Sequence, residues 1–161
     1  MSIELKLAYD YKEEVKELFE EYTNILIESD KEFAKYLKIQ NYDSEVNHLE
    51  DKYGLPNGRL YIATVDNKVA GGVALRPLDE NSCELKRLYV KPEFRGCHLG
   101  NKLVNQIISD AKDIVYHYIL LDTLPFLQSA IYLYKKFGFY EIEKYNDSPI
   151  ESSIFMRLDL V

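Results

Sequence analysis

The segment Glu84–Ile107, ELKRLYVKPEFRGCHLGNKLVNQI, combines a β-strand, a short basic turn and the glycine-marked start of an amphipathic helix. Backbone N–H groups at the start of a helix, together with the positive end of the helix dipole, form an anion-binding site. The turn adds the positive side chains of Lys91 and Arg95. The segment is therefore suited to hold a phosphorylated compound beside the end of a strand.

The rest of the chain predicts one α/β (α+β) domain over residues 1–161, with a mixed central sheet of about seven strands and helices on both faces. Strands are predicted from alternating or short apolar runs at about Ile3–Tyr9, Arg59–Val65, Lys68–Arg76, Ser82–Lys91, Val115–Thr123, Phe139–Tyr145 and Ile154–Leu160. Helices are predicted after the capping position Asp10, more weakly over Asp30–Lys52 with a break near Asn41, from Leu99 to Ala111, and from Pro125 to the capping residue Gly138.

Composition indicates a globular protein whose charge is uneven. Of the 161 residues, 47% are hydrophobic and 29% charged, which excludes a disordered chain. Between Asp10 and Lys52, thirteen acidic residues outweigh six basic ones, and this difference of −7 equals the net charge of the whole chain. Such a surface is unsuited to nucleic acid. It is either a solvated helical face or a surface that attracts a cationic partner.

The cysteines and histidines predict no metal cofactor. Cys83 and Cys97 match no zinc or redox spacing, and His48 and His117 are isolated along the chain. No apolar run reaches the length of a membrane span, and the first residues do not resemble a signal peptide. We therefore expect a reduced, cytoplasmic protein that does not enter a membrane.

Two motifs in a fixed order resemble the GNAT superfamily of acyl-CoA-dependent N-acyltransferases. They are LYVKPEFRGCHLG at residues 88–100 and AIYLYKKFGF at residues 130–139. The resemblance covers nearly the whole chain and implies a fold in which the fourth and fifth strands splay apart. It also implies acetyl-CoA as cosubstrate, with its pantetheine arm along Leu88, Tyr89 and Val90. The amides of pantetheine can pair with the backbone of this strand as an added strand would. The pyrophosphate is then expected on backbone N–H groups of Arg95, Gly96, Cys97, His98, Leu99, Gly100 and Asn101.

His98 departs from the family pattern, because it occupies a position at which the loop commonly has a glycine. A side chain there either crowds the pyrophosphate, forces a different turn, or assists binding when it is protonated. Gly96 and Gly100 keep the close backbone approach that the loop requires.

The resemblance implies two catalytic residues. Tyr134 corresponds to the tyrosine that protonates the departing thiolate, with a purely packing role as the alternative in a chain of 14 tyrosines. Glu84 corresponds to a glutamate that takes the proton of the amine through water, with an exposed strand carboxylate as the alternative. Simple alternation places Glu84 and Val90 on one face of the strand, unless a β-bulge intervenes.

The sequence as a whole predicts an N-acetyltransferase that transfers acetyl from acetyl-CoA to a primary amine by direct attack in a ternary complex. The acidic segment, which borders the acceptor groove in this family, favours a cationic acceptor, either a small molecule or a peptide. The alternatives are a non-catalytic acyl-CoA-binding or regulatory domain, and an acyltransferase with a different acyl group or acceptor. Pairing through the C-terminal strands is common in the family, so the resemblance allows a homodimer, but the sequence does not decide the oligomeric state.

Overall fold

The computed structural model describes residues 1–29, 31–32, 34–35 and 42–161. Its strands are β1 (Ile3–Leu7), β2 (Arg59–Val65), β3 (Lys68–Pro77), β4 (Ser82–Val90), β5 (Tyr118–Thr123), β6 (Tyr140–Ile142) and β7 (Ile154–Asp159). They form one seven-stranded sheet in the order β1–β2–β3–β4–β5–β7–β6, in which β4 and β5 are parallel and all other neighbours are antiparallel.

Helices cover both faces of this sheet. The described helices are α1 (Lys12–Ser29), α2 (Tyr42–Asn47), α3 (Leu49–Tyr53), α4 (Leu99–Ile114) and α5 (Gln128–Phe137), and a 3₁₀ turn spans Pro92–Phe94. Apolar residues of α1 and α3, including Leu18 and Tyr53, pack on one face of the sheet. Residues of α4 and α5, including Leu103 and Tyr134, pack on the other. The mixed, two-faced sheet predicted from the sequence is confirmed.

Strands β4 and β5 separate after three residue pairs. Their pairing ends at Glu84 opposite Leu120, so β4 continues from Leu85 to Val90 without a hydrogen-bonded neighbour on that side. On its other edge, β5 pairs with β7 along its full length. The divergence leaves an open strand edge and a gap between the two strands.

A β-bulge in β4 reverses the expected alternation of its side chains. Gly72 of β3 pairs with Tyr89 and Ala74 with Lys86, so two residues of β4 lie opposite one residue of β3, and Arg87 takes a φ of 59°. Consequently Val90 packs towards the core under α4, whereas Glu84 lies on the opposite face. Of the two arrangements that the sequence left open, the structure therefore has the one with a β-bulge, in which Glu84 and Val90 do not share a face.

Two helix boundaries differ from prediction. Helix α5 begins at Gln128 rather than at Pro125, because residues 125–126 form a turn closed by the Leu127 N–H donating to the Leu124 carbonyl at 3.0 Å. Helix α4 extends to Ile114, where Val115 caps it at φ 78°, so β5 begins at Tyr118 rather than Val115. Gly138 caps α5 at φ 103°, as predicted.

The weaker helical region predicted over Asp30–Lys52 is only partly described. Its described part includes the two short helices α2 and α3. The predicted break near Asn41 lies outside the described residues.

Candidate active site

A cavity of about 630 Å³ lies where β4 and β5 separate. Its wall is formed by the open half of β4, the turn before α4, the end of β5, α5 and the last turns of α1. Most of the residues predicted for the cosubstrate and the chemistry line it: Leu88, Tyr89, Val90, Arg95, Gly96, His98, Leu99, Gly100, Asn101 and Tyr134. The structure therefore brings the two sequence motifs to one place, while Cys97 and Glu84 do not belong to the lining.

The turn before α4 has the backbone geometry of an anion cradle. Gly96 has a φ of 92°, with open space where a Cβ would stand. His98, the residue before the helix, has φ 60° and ψ 27°, so it takes the left-handed conformation that a glycine would adopt at this position. Gly100 meets a different requirement, because a Cβ there would lie 3.2 Å from Leu133 Cδ2 on α5. Close packing of α4 on α5 depends on this absence.

Arg95 contributes its side chain to this cradle. Its backbone N–H already donates to the Pro92 carbonyl at 3.3 Å, within the 3₁₀ turn. The N–H groups that follow, at the start of α4, belong to the set that finds no carbonyl partner within a helix. The guanidinium of Arg95 is exposed beside them, which suits a fixed positive charge for a phosphate.

Tyr134 is buried on the wall of the cavity. Its side chain is 5% exposed, and its ring lies 5.6 Å from the ring of Phe139 at 56°. Burial raises the pKa of the Tyr134 phenol above its ordinary value, and the nearby Tyr22 and Asp122 raise it further. The phenol therefore stays protonated throughout the neutral range, as a proton donor requires.

Glu84 is buried behind the cavity wall and is engaged on several sides. It is 3% exposed, accepts a hydrogen bond from the Tyr145 hydroxyl, and lies 3.5 Å from Arg76 Nη1 and 3.8 Å from Lys86 Nζ. The alternative of an exposed strand carboxylate is wrong for this residue. Tyr145 lies in the segment between β6 and β7, so Glu84 ties that segment to the centre of the sheet.

Two polar groups at the gap were missed by the sequence analysis as site residues. Lys86 on β4 and Asp122 on β5 both line the cavity. Asp122 accepts a hydrogen bond from Asn146 Nδ2 at 2.8 Å, a second link to the segment between β6 and β7. Asp122 is the one carboxylate in the otherwise largely apolar run Val115–Thr123. A lone carboxylate in an apolar strand was the signal that could have identified it.

A buried cluster of one carboxylate and two cations lies beside the cavity. Glu45 on α2 accepts hydrogen bonds from Arg87 Nε and Nη2, both at 2.9 Å, and from Lys52 Nζ at 2.7 Å. Burial alone would raise the pKa of Glu45, but the charges of Arg87 and Lys52 outweigh it and lower the pKa to about 2. Helix α2 is thereby attached to the bulge of β4.

The acidic residues of α1 do not reach the cavity wall. This helix contributes Tyr22, Ile25 and Leu26, and Asp122 is the one carboxylate in the described lining. The cationic acceptor expected from the charge of the Asp10–Lys52 segment therefore stays a prediction. Within the described ranges, no cluster of His, Cys, Asp and Glu could hold a metal ion, and none of the helices is long and apolar enough to cross a membrane.

A seven-stranded mixed sheet whose fourth and fifth strands diverge over an anion cradle defines an acyl-CoA-dependent acetyltransferase fold. The chain belongs to the acetyltransferase (GNAT) family, whose model matches residues 12–139. An uncharacterized N-acetyltransferase of Schizosaccharomyces pombe is 42% identical over 131 residues, which are 80% of this chain and 80% of the relative.

Solved structures share this fold. A GNAT family acetyltransferase from Staphylococcus aureus superposes with a TM-score of 0.77 at 25% identity, covering 99% of this chain and 100% of that one. A GNAT family acetyltransferase from Elizabethkingia anophelis, solved with acetyl-CoA bound, gives a TM-score of 0.54 at 26% identity, covering 64% of this chain and 76% of that one.

Proposed function

We propose that this protein transfers an acetyl group from acetyl-CoA to a primary amine by direct attack within a ternary complex. The observation that supports this most strongly is that one cavity contains the anion cradle, the open edge of β4 and the buried phenol of Tyr134. A phosphate site, a backbone edge and a proton donor in this order correspond to the three parts of an acyl-CoA: pyrophosphate, pantetheine amides and thioester.

The residues of the cavity fit this cosubstrate. The pyrophosphate would lie on the N–H groups at the start of α4 with Arg95 beside it, since Gly96 leaves open space there. The pantetheine amides would pair with the free edge of β4 at Leu88–Val90. The bound cosubstrate supplies the activated acetyl group, and the chain supplies position, charge and protons. The resemblance to the acetyl-CoA-bound relative supports acetyl as the group transferred.

Tyr134 would act as the proton donor. The amine nitrogen forms a bond to the acetyl carbonyl carbon, the carbon–sulfur bond breaks, and the thiolate takes the phenolic proton. A backbone N–H near Val90 would stabilise the developing oxyanion. Holding amine and thioester together in one cavity would supply much of the rate enhancement.

The amine must lose a proton before or during attack, and two carboxylates compete for this role. Glu84, the predicted base, would act through water, because it lies behind the wall and already binds Tyr145. Asp122 lines the cavity directly. Comparing the pH profiles of kcat/KM for Glu84→Gln and Asp122→Asn separates them: the variant that lacks the base loses the alkaline activation of the wild type, and the other keeps it.

The experiment that tests the proposal measures thiol release from acetyl-CoA over a panel of primary amines, with mass spectrometry of the products. The expected result is stoichiometric thiol release and an amine heavier by one acetyl group. Binding of acetyl-CoA without thiol release for any amine would favour a non-catalytic regulatory domain. Faster reaction with a longer acyl-CoA, or with an alcohol, would instead indicate a different acyl group or acceptor.

A further inference from the structure

Lys86 is a buried cation on the cavity wall whose charge is incompletely compensated. It is 6% exposed and lines the cavity. Among the described residues, the one carboxylate within 4.0 Å of its Nζ is Glu84, whose Oε1 lies at 3.8 Å, beyond hydrogen-bond distance. Glu84 is also 3.5 Å from Arg76 and binds the Tyr145 hydroxyl, so its charge is shared between two cations.

The other charged groups near Lys86 do not fully compensate its positive charge. Asp122 on β5 attracts it together with Glu84, while Arg87 on β4 and Lys52 on α3 repel it. Burial, partly offset by Glu84, lowers the pKa of Lys86 to about 8. The side chain is therefore mostly protonated at neutral pH, and a buried ammonium of this kind is stabilised by an anion that enters the cavity.

The wall on the α1 side of Lys86 is apolar. Ile25 and Leu26 from α1 and Leu124 after β5 line the cavity there. Leu26 and Leu124 form a buried cluster with Ile150, from the segment between β6 and β7. An acceptor that enters on this side therefore meets a branched aliphatic surface beside the cation Lys86 and the carboxylate Asp122, while Arg87, which also lines the cavity, is paired with Glu45.

We propose that the acceptor is an amino acid with an apolar side chain, whose carboxylate pairs with Lys86 Nζ and whose side chain lies on Ile25, Leu26 and Leu124. The inference rests on the proposed function, and it narrows the acceptor from any primary amine to one that also carries a carboxylate. The ammonium group would arrive beside Asp122 before losing its proton. A protein N-terminus lacks the nearby carboxylate and would be a poor acceptor.

The test compares three amines with the same side chain: leucine, leucinamide, which lacks the anion, and isopentylamine, which lacks the whole carboxyl group. A charge-assisted hydrogen bond contributes about 1.5–3 kcal/mol, so we expect kcat/KM for leucine to exceed that for leucinamide by about tenfold or more. This preference should fall to about one in Lys86→Met and persist in Lys86→Arg, which keeps the charge. Lys112→Met, an exposed lysine on α4 outside the lining, should keep the wild-type ratio.

The pH dependence of the same ratio provides a second readout. Because the neutral amine of leucine forms at higher pH than that of leucinamide, the preference is compared between wild type and Lys86→Arg at each pH. Relative to Lys86→Arg, the wild-type preference for leucine should weaken as the pH rises through about 8, because Lys86 loses its charge. In Lys86→Arg it should persist at higher pH, since guanidinium does not titrate there. A role of Lys86 in packing alone would not produce this difference.

Failure of the inference is distinguishable from failure of the proposed function. Leucinamide or isopentylamine reacting as well as leucine would overturn the inference while the acetyl transfer stands. Absence of thiol release with every amine would overturn the function. Calorimetric titration with coenzyme A present then decides the inference separately: preferential binding of leucine that Lys86→Met abolishes supports it, and equal binding of leucine and leucinamide overturns it.

Discussion

Replacing Glu45 by Gln should strongly destabilise the protein, because it removes the carboxylate shared by two cations in the interior. Glu45 is 4% exposed and Arg87 is 6% exposed, and their two hydrogen bonds are both 2.9 Å long. The fall in the pKa of Glu45 from 4.5 to about 2 corresponds to roughly 3 kcal/mol of stabilisation. Removing one partner of a buried ion pair typically costs about 3–5 kcal/mol. We therefore expect a loss of about 3–5 kcal/mol in the free energy of unfolding at pH 7.

The effect has a defined pH dependence. Because the pKa of Glu45 is lower in the folded state, its contribution is fully present above about pH 4.5 and is lost as the pH falls towards about 2. The difference between wild type and Glu45→Gln should therefore be constant from pH 8 to pH 5 and shrink below that.

Urea unfolding followed by circular dichroism and tyrosine fluorescence measures this, since the chain has 14 tyrosines and no tryptophan. Glu50→Gln is the matched control, because Glu50 forms an ion pair with Lys12 at 3.0 Å on the surface. The side chains of Glu50 and Lys12 are 57% and 62% exposed. It should cost no more than about 0.5 kcal/mol. A loss below about 1 kcal/mol for Glu45→Gln at pH 7, or a difference that does not change in acid, would refute the reasoning.

Two further predictions concern residues with left-handed backbone conformations. Val115→Gly should raise the free energy of unfolding by roughly 0.5–1 kcal/mol. Val115 is an exposed β-branched residue at φ 78°, and the strain that glycine removes there exceeds the cost of its greater flexibility in the unfolded chain. An equal or larger gain for Val115→Ala would contradict this explanation. Gly96→Ala should raise KM for acetyl-CoA severalfold with a smaller change in kcat, because φ 92° disfavours a residue with a Cβ although the space around it is open. Steady-state kinetics with acetyl-CoA as the varied substrate measures this. An unchanged KM would show that Gly96 is not part of the cradle.

The fold was largely predictable because its signals are local. The turn at Arg95–Gly100, the cap at Gly138 and the alternating runs of the sheet each depend on neighbouring residues. The Asp66–Asn67 turn that joins β2 and β3 is another example, with φ of 49° and 69°. These local features predict the order of the helices and strands. That order, together with the two motifs, resembles the GNAT family, and the resemblance predicts that β4 and β5 diverge.

The sequence left open which face of β4 carries each polar residue, because it did not decide whether a β-bulge interrupts the strand. The bulge at Arg87 depends on how β3 pairs with β4, and no residue near it announces the change of parity. Glu45 lies in an acidic segment that indicates a solvated surface, yet it meets Arg87, 42 residues later, in the interior. Side chains that act through distant partners are therefore those the sequence analysis placed wrongly or missed.

The central claim is that Tyr134 donates a proton during acetyl transfer, and one comparison tests it most directly. Thiol release from acetyl-CoA should be measured for wild type, Tyr134→Phe and Tyr132→Phe with an amine that the wild type acetylates. Tyr132, on the same helix, is 72% exposed. General acid catalysis contributes about 10²–10⁴-fold, so Tyr134→Phe should lose about 10²-fold or more in kcat with little change in KM for acetyl-CoA, while Tyr132→Phe keeps the wild-type kcat. A correctly folded Tyr134→Phe with wild-type kcat would contradict the account.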